Sequence, residues 1–463
     1  MGTDLTRIGE KARKERDLVF TSLYHHICDV DNLRACYDAL GADKATGVDG
    51  VTKGEYGKNL EENLRDLSGR LKRMGYRPEP KKRSYIPKAG SRKGRPLGIS
   101  CLEDKIVEEA TKRTLEPIYE AVFEDSSYGY RPGRNQHECL DVLGRTIQQE
   151  RVSYVVEADI KGFFDKVNHE WMIKFLRHRI GDERVIRLVI RMLRSGIMEE
   201  GLVQASEEGT PQGSILSPLL SNPAKAGHYV LDLWFRRRVS RQSRGEAYYF
   251  RFADDFVACF RYRDDAESFQ RRLKGRLEGF GLELAEEKTR GIEFGRFARE
   301  EAYKRGEKPK EFTFLGFTHY CGKTREGHFK VKRRTSRKKL GQSLERYTDW
   351  AKKAGQVLRK GEMLRQARIR VLGHLSYYAI TDNLERCNFY VWRATQILFK
   401  WLNRKSQRRA YTWESFNQAL AWVEWPKARL RKDLNPCRRA EASRMTHRGA
   451  GCMGKPLVRF CEG

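Results

Sequence analysis

The chain has 463 residues, 92 of them Lys or Arg against 62 Asp or Glu, for a net charge of +30. With 39% hydrophobic and 11% aromatic residues it is too rich in core formers to be a disordered basic tail. A mean hydropathy of -0.73 and the lack of any apolar run of about 18 residues exclude a membrane span.

Residues 1–45 read as helical up to a stop at Gly41, and the turn-rich KATGVDGVT (44–52) breaks that run. A second helical stretch, YGKNLEENLRDLSGRLKRMGY, ends ahead of Pro78 and Pro80. KKRSYIPKAGSRKGRPLGIS (81–100) reads as two short strands joined by a basic, Gly-containing loop, and helical periodicity returns from Glu103 to Tyr119. RVSYVVEAD (151–159) is a β-branched run ending in an acid, which suits a central strand. The helical stretches HEWMIKFLRHRI and RVIRLVIRMLRSG follow.

EAYYFRFADDFVACFRY (246–262) is a hairpin of two β-rich runs meeting at an acidic pair. After it come an amphipathic helix with a Gly281 stop, a short strand FTFLGFTHY (312–320), and a mostly helical region from Ser336 to Leu420. The last residues, from about 426 onward, lose periodicity. The expected fold class is α+β with a helical C-terminal module. The ten cysteines form no C-x-x-C pair, and the first residues have no apolar leader segment, so a reducing compartment is expected.

A surplus of positive charge this large calls for a polyanion, most commonly a phosphate backbone. Seven of the ten residues in KVKRRTSRKK (330–339) are basic: Lys330, Lys332, Arg333, Arg334, Arg337, Lys338 and Lys339. In YVWRATQILFKWLNRKSQRRAYTW (390–413) basic residues alternate with rings, which would stack on bases or, more simply, pack a helix. Acids stand where two apolar strands end, Asp159 after VSYVVEA and Asp254–Asp255 between YYFRFA and FVACF. Carboxylates converging at one sheet edge are what metal-assisted phosphoryl transfer needs, whereas each alone would be an ordinary turn residue.

The motifs around these acids make the pattern specific. DIKGFFDKV (159–167), EGTPQGSILSPLLSN (208–222), RFADDFVACF (251–260), GLELAEEKT (281–289) and FTFLGF (312–317) occur in the order of reverse transcriptase palm motifs. YIPKAGSRKGRPLGI (85–99) and SSYGYRPGRNQHECL (126–140) resemble the fingers motifs, and the segment with LGHLSYY (372–378) resembles the thumb. The chain thus resembles the group II intron reverse transcriptase/maturase family over roughly residues 40–425.

The resemblance implies a right-hand polymerase, with fingers and palm carrying an antiparallel palm sheet, followed by an α-helical thumb/maturase domain. Its segments would be an N-terminal helical extension and start of the fingers (1–80), fingers and palm (81–320), thumb (321–425) and a basic tail without an endonuclease domain (426–463). Asp159, Asp254 and Asp255 would hold two Mg2+ ions, with Mn2+ as a substitute, and the peptide carbonyl of Ile160 would add a ligand. Lys88, Arg95, Phe164, Gln212, Gly213 and Lys288 would bind the dNTP, and Phe314, Leu315 and Gly316 would form the primer grip.

The implied partners are an intron RNA template, a DNA primer or target and dNTPs, without a membrane, and with a homodimer left open. A cytoplasmic location, with nucleoid association left open, and a prokaryotic or organellar origin are implied as well. The sequence departs from the family in having Phe252 ahead of the paired acids instead of Tyr, and Pro223 and Gly227 in the helix after SPLLSN. That break motivates an alternative, an RNA-binding splicing cofactor with weak or lost polymerase activity. A domesticated reverse transcriptase in phage defence or DNA repair is a further alternative. Cys437, His447, Cys452 and Cys461 are too irregularly spaced for a zinc site.

Overall fold

Both acid-ended apolar runs form neighbouring strands of one sheet. In the computed structural model, residues 5–86, 94–162, 168–199, 201–204, 213–220, 227–404 and 410–430 are described. They fall into two compact units, Met1–Lys310 and Glu311–Gly463.

In the first unit the strands are β1 (Lys81–Ile86), β2 (Arg95–Ile99), β3 (Tyr154–Ala158), β4 (Ile160–Lys161), β5 (Ile197–Glu199), β6 (Leu202–Gln204), β7 (Ala247–Phe252), β8 (Asp255–Phe260), β9 (Glu283–Leu284) and β10 (Arg290–Glu293). The central sheet has the order β10-β3-β8-β7 and is antiparallel throughout. Residues Phe256 to Phe260 of β8 are all buried, which explains an apolar run without alternation. The amphipathic helix Arg263–Glu278 buries Ala266, Phe269, Leu273 and Leu277, one stripe at helical spacing, within the same core. A second sheet, β2-β1-β5-β6, pairs β1 with β2 in the expected hairpin and with β5 in parallel. Helix Leu102–Glu120 buries eleven of its residues, polar ones included.

The second unit opens with an antiparallel meander of β11 (Phe312–Phe314), β12 (Phe317–Lys323) and β13 (Phe329–Thr335). Helices Arg337–Val357, Lys360–Tyr378, Leu384–Asn403 and Trp413–Trp422 follow around their own core. Ser336 caps the first helix by accepting from Lys339 N, and a Thr412–Ser415 capping box opens the last. FTFLGFTHY is therefore not the single strand expected: it turns back on itself between β11 and β12, and it belongs to the second unit. Of the rings interleaved with basic residues, Tyr390 is core, while Trp392 and Trp413 are exposed. The seven cysteines among the described residues are all buried free thiols. No helix among those residues is long and apolar enough to cross a membrane.

Candidate active site

Strand register brings the acids together. Ala158 on β3 faces Phe256 on β8, so one residue farther along each antiparallel strand Asp159 stands across from Asp255. Phe252 on β7 faces Asp255, which leaves Ala253–Asp254 as the two-residue hairpin turn. Asp159 and Asp254 are half-buried and Asp255 is exposed. Ala253 has φ 59, a left-handed conformation that costs a non-glycine residue about 1–3 kcal/mol and persists only where its surroundings enforce it.

Those surroundings lie behind the turn. The Arg251 side chain is 1% exposed and paired with Asp232, itself fully buried, through Nε–Oδ1 at 2.8 Å and Nη2–Oδ2 at 2.7 Å. The same guanidinium donates to the Ala253 carbonyl at 3.0 Å and to Ser127 Oγ at 2.7 Å. Burial works against its charge, and the Asp232 carboxylate outweighs that, holding Arg251 above its ordinary value. Segment 126–128 lies alongside β7, with Arg251 N donating to Ser126 O and Tyr128 N to Arg251 O, both at 2.9 Å. At Gly129 a Cβ would stand 2.2 Å from Ala253 N, so only glycine lets this segment press against the turn.

Gly227 has a similar reason. A Cβ there would meet the Arg251 guanidinium carbon at 2.6 Å. Gly227 is itself helical, and the segment that supplies Asp232 has π-helical turns Gly227–Asp232 and Phe235–Val239 running into Ser240–Gln242. So the expected interruption at Gly227 is instead the seat of a buried guanidinium, in a helix type often found at functional sites. Pro223 lies outside the described residues.

In front of the turn, β4 and β9 pair as Ile160 with Leu284, and a short 3-10 turn, Glu286–Lys288, follows. Its Lys288 ammonium is hydrogen-bonded to Asp159 Oδ2, with side-chain exposures of 59% and 21%. That bond to Asp159 raises Lys288 above its ordinary value. Ala285 N donates to the Asp159 carbonyl at 2.9 Å, and antiparallel pairs alternate between bonded and unbonded. The Ile160 peptide groups therefore turn away from β9.

Hard carboxylate oxygens suit Mg2+, and Lys288 shows that Asp159 already takes a cation. Among the described residues no group of three or more His, Cys, Asp and Glu side chains is closed enough to hold a metal ion by itself. Mg2+ typically takes one or two carboxylates and completes its shell with substrate phosphate and water, and the facing Asp159 and Asp255 fit that mode.

The remaining residues singled out in the sequence divide three ways. Lys88, Phe164 and Gln212 lie outside the described residues, and of Arg95 only the backbone, paired with Ile86, is described. Gly213, at φ 109, stands so close to β2 that a Cβ would lie 3.0 Å from the Gly98 carbonyl oxygen. Two residues on, Ile215 is anchored by Glu108, a residue without a sequence signal. Its buried carboxylate accepts from Lys81 at 2.6 Å, Ser100 Oγ at 3.0 Å and Ile215 N at 2.8 Å. Burial pushes this carboxyl up, but Lys81 and the peptide donor prevail and hold it below its ordinary value.

In the second unit, Leu315 (φ 48) and Gly316 (φ 83) form the turn between β11 and β12. Tyr377 Oη donates to the Leu315 carbonyl at 2.8 Å, and a Cβ on Gly316 would lie 2.9 Å from Tyr378 Oη. The basic run is corrected by burial: Arg333 is 7% exposed because the β13 alternation turns it inward. Lys330 pairs with Asp382 at 2.8 Å and Arg334 with Glu311 at 2.8 Å, leaving Lys332, Arg337, Lys338 and Lys339 as the accessible charges of the run.

The family model described as "Reverse transcriptase (RNA-dependent DNA polymerase)" matches residues 86–319. The chain is 38% identical over 218 residues to the group II intron-encoded protein LtrA of Lactococcus lactis subsp. cremoris, covering 47% of this chain and 36% of that one. It is 34% identical over 272 residues to protein YkfC of Escherichia coli K12, covering 53% of this chain and 71% of the relative. An uncharacterised 91 kDa protein in the cob intron of Schizosaccharomyces pombe is 38% identical over 152 residues, 33% of this chain and 18% of its own length. The match to LtrA thus spans little more than a third of that protein. On the matched domain, the ordered motifs and these relatives, the chain belongs to the group II intron reverse transcriptase/maturase family.

Proposed function

We propose that the chain is an RNA-directed DNA polymerase that extends a DNA primer on intron RNA and binds that RNA to assist splicing and mobility. The observation that carries this is the strand register that sets Asp159 across from Asp255 with Asp254 in the enforced turn. The carboxylates of Asp159, Asp254 and Asp255 and the Ile160 carbonyl would hold two Mg2+ ions, or Mn2+, which supply Lewis-acid activation of the primer hydroxyl and neutralise charge on the leaving group.

The protein's own part is placement. Arg251 holds the turn in one conformation, which matters because phosphoryl transfer depends mainly on positioning. Lys288 is placed to exchange its bond with Asp159 for one to the pyrophosphate of a departing dNTP. Gly213, whose backbone closes on Gly98, would border the incoming nucleotide, and Lys88, Arg95, Phe164 and Gln212 would bind it. The Phe314–Gly316 turn would grip the primer, and Lys332, Arg337, Lys338 and Lys339 would meet RNA phosphates. A cytoplasmic or nucleoid-bound protein of prokaryotic or organellar origin fits this role.

The test is primer extension by the purified protein on poly(rA)/oligo(dT) with Mg2+ and dTTP. Asp254→Asn should lose extension by about 10³-fold or more while RNA affinity stays nearly intact, since the substitution removes a metal ligand and leaves every phosphate-binding side chain in place. Comparable cDNA synthesis by the variant would remove the acids from this role. Neutralising Lys332, Arg337 and Lys338 should flatten the salt dependence of RNA binding by about 0.7–0.9 for each phosphate no longer neutralised. An unchanged slope would place the RNA on another surface.

A further inference from the structure

Helices Arg337–Val357, Lys360–Tyr378 and Leu384–Asn403 of the second unit line a cavity of about 490 Å3, within the usual range of small-ligand sites. Its walls are rings. His374 stacks on Tyr390 with centroids 3.5 Å apart and planes 14° apart, and the Arg370 guanidinium lies 4.4 Å over Trp350. Arg346 and Arg370 are exposed, and no acidic residue lines the cavity among the described residues.

Two polar atoms in the lining lack partners. Tyr347 is 3% exposed and His374 9%, yet Tyr347 Oη and His374 Nε2 have no hydrogen-bond partner among the described residues. Buried groups left in that state are costly and uncommon, and call for an explanation. Burial, with Arg346 next, pushes His374 down to about 4, so its imidazole is neutral and offers one donor and one acceptor nitrogen. Flat walls, hydrogen-bonding groups at depth and two cations at the rim describe a ligand that is planar, polar at its edge and anionic outside.

We infer that this cavity takes one unstacked nucleotide of single-stranded RNA, its base among the rings and against Tyr347 and His374, its phosphate at Arg346 and Arg370. The inference goes beyond the polymerase reading and rests on it only for the choice of RNA. It also gives the site a connection within the unit. Tyr377 and Tyr378, which line the cavity, both bear on the Leu315–Gly316 turn, whose Gly316 carbonyl also accepts from Ser336 N. A base held here would bear on the side chains that support that turn.

The experiment uses the full chain and a single-stranded RNA oligonucleotide carrying 5-iodouridine, irradiated with long-wavelength ultraviolet light and mapped by mass spectrometry, with the DNA oligonucleotide of the same sequence alongside. Adducts on Tyr347, Trp350, His374 or Tyr390 are expected with RNA. Adducts on none of these rings, or on them with DNA and not RNA, overturn the proposal.

Trp350→Ala should weaken RNA binding about tenfold through the missing stacking surface. Arg370→Gln, on an exposed side chain that leaves the helical core untouched, should weaken it severalfold and lower the adduct yield. Full affinity in both variants also overturns the proposal. Primer extension on the same preparations keeps the two readings apart. Adducts without extension sink the polymerase and leave the pocket, whereas extension without adducts on these rings sinks the pocket alone.

Discussion

The Ala253–Asp254 turn has an ion pair on each side, Arg251 with Asp232 behind it and Lys288 with Asp159 in front, and the two differ chiefly in access to water. The rear pair is sealed: its guanidinium also holds the Ala253 carbonyl and the Ser127 hydroxyl, and it has no solvent with which to exchange partners. The front pair is open, and exposed pairs contribute at most about 1 kcal/mol, so Asp159 can be surrendered cheaply to a better cation. A polymerase site of the kind proposed, which must stay rigid while exchanging substrates and ions, needs both kinds. Burial decides which carboxylate is structural and which remains available for chemistry.

Breaking the rear pair should have the largest effect. Arg251→Met leaves the Asp232 carboxylate buried and unpaired, which costs about 3–5 kcal/mol of unfolding free energy, readable by urea denaturation. Adding Asp232→Leu should restore most of that stability, because well-packed apolar side chains often replace a buried pair without loss. Primer extension should stay low in the double variant, since the Ala253 carbonyl still lacks its donor. Recovery of both properties together would reduce the pair to a space-filling role.

A smaller effect is expected from Gly129→Ala. Its added methyl cannot share space with the Ala253 amide, so either segment 126–129 or the turn must move. A stability loss of about 1–3 kcal/mol follows from overpacking, and a displacement of the turn near 1 Å would lower extension about 10²-fold. Activity should thus suffer out of proportion to stability, the reverse of what a plain packing defect does. Loss of the two in parallel would show that the turn has other restraints.

Much of the front of the site is legible in the sequence, because an acid at the end of a β-branched run carries a local signal. β3 and the β7–β8 hairpin follow from the β-rich runs and the acids that end them, and Asp159, Asp254 and Asp255 stand at those strand ends. The rear is not legible. Asp232 and Arg251 are 19 residues apart, and Ser127 is a further 105 upstream of Asp232; nothing local in the chain marks them as partners. Gly227 reads as a helix break for the same reason: helix propensity counts its cost, but not the guanidinium that occupies the space of its missing side chain. The basic run is opaque in a different way. A sequence shows charge but not strand face, and β13 alternation buries Arg333 while Asp382 and Glu311 engage its neighbours.

Replacing Lys288 should have the smallest effect on the fold and thereby sharpens the contrast with Arg251. Lys288→Gln removes an exposed pair, so unfolding free energy should change by less than about 1 kcal/mol. Extension should fall about tenfold, the worth of one hydrogen bond to a charged group, because the leaving pyrophosphate loses a cationic donor. In the proposed role the same ammonium would serve the reverse reaction, so pyrophosphorolysis should drop by a similar factor and inhibition by added pyrophosphate should weaken. Lys288→Arg keeps the charge and should recover part of each. A variant that loses several kcal/mol of stability while pyrophosphate inhibition stays unchanged would make the front pair a structural clamp like the rear one, and the distinction between the two sides of the turn would fall.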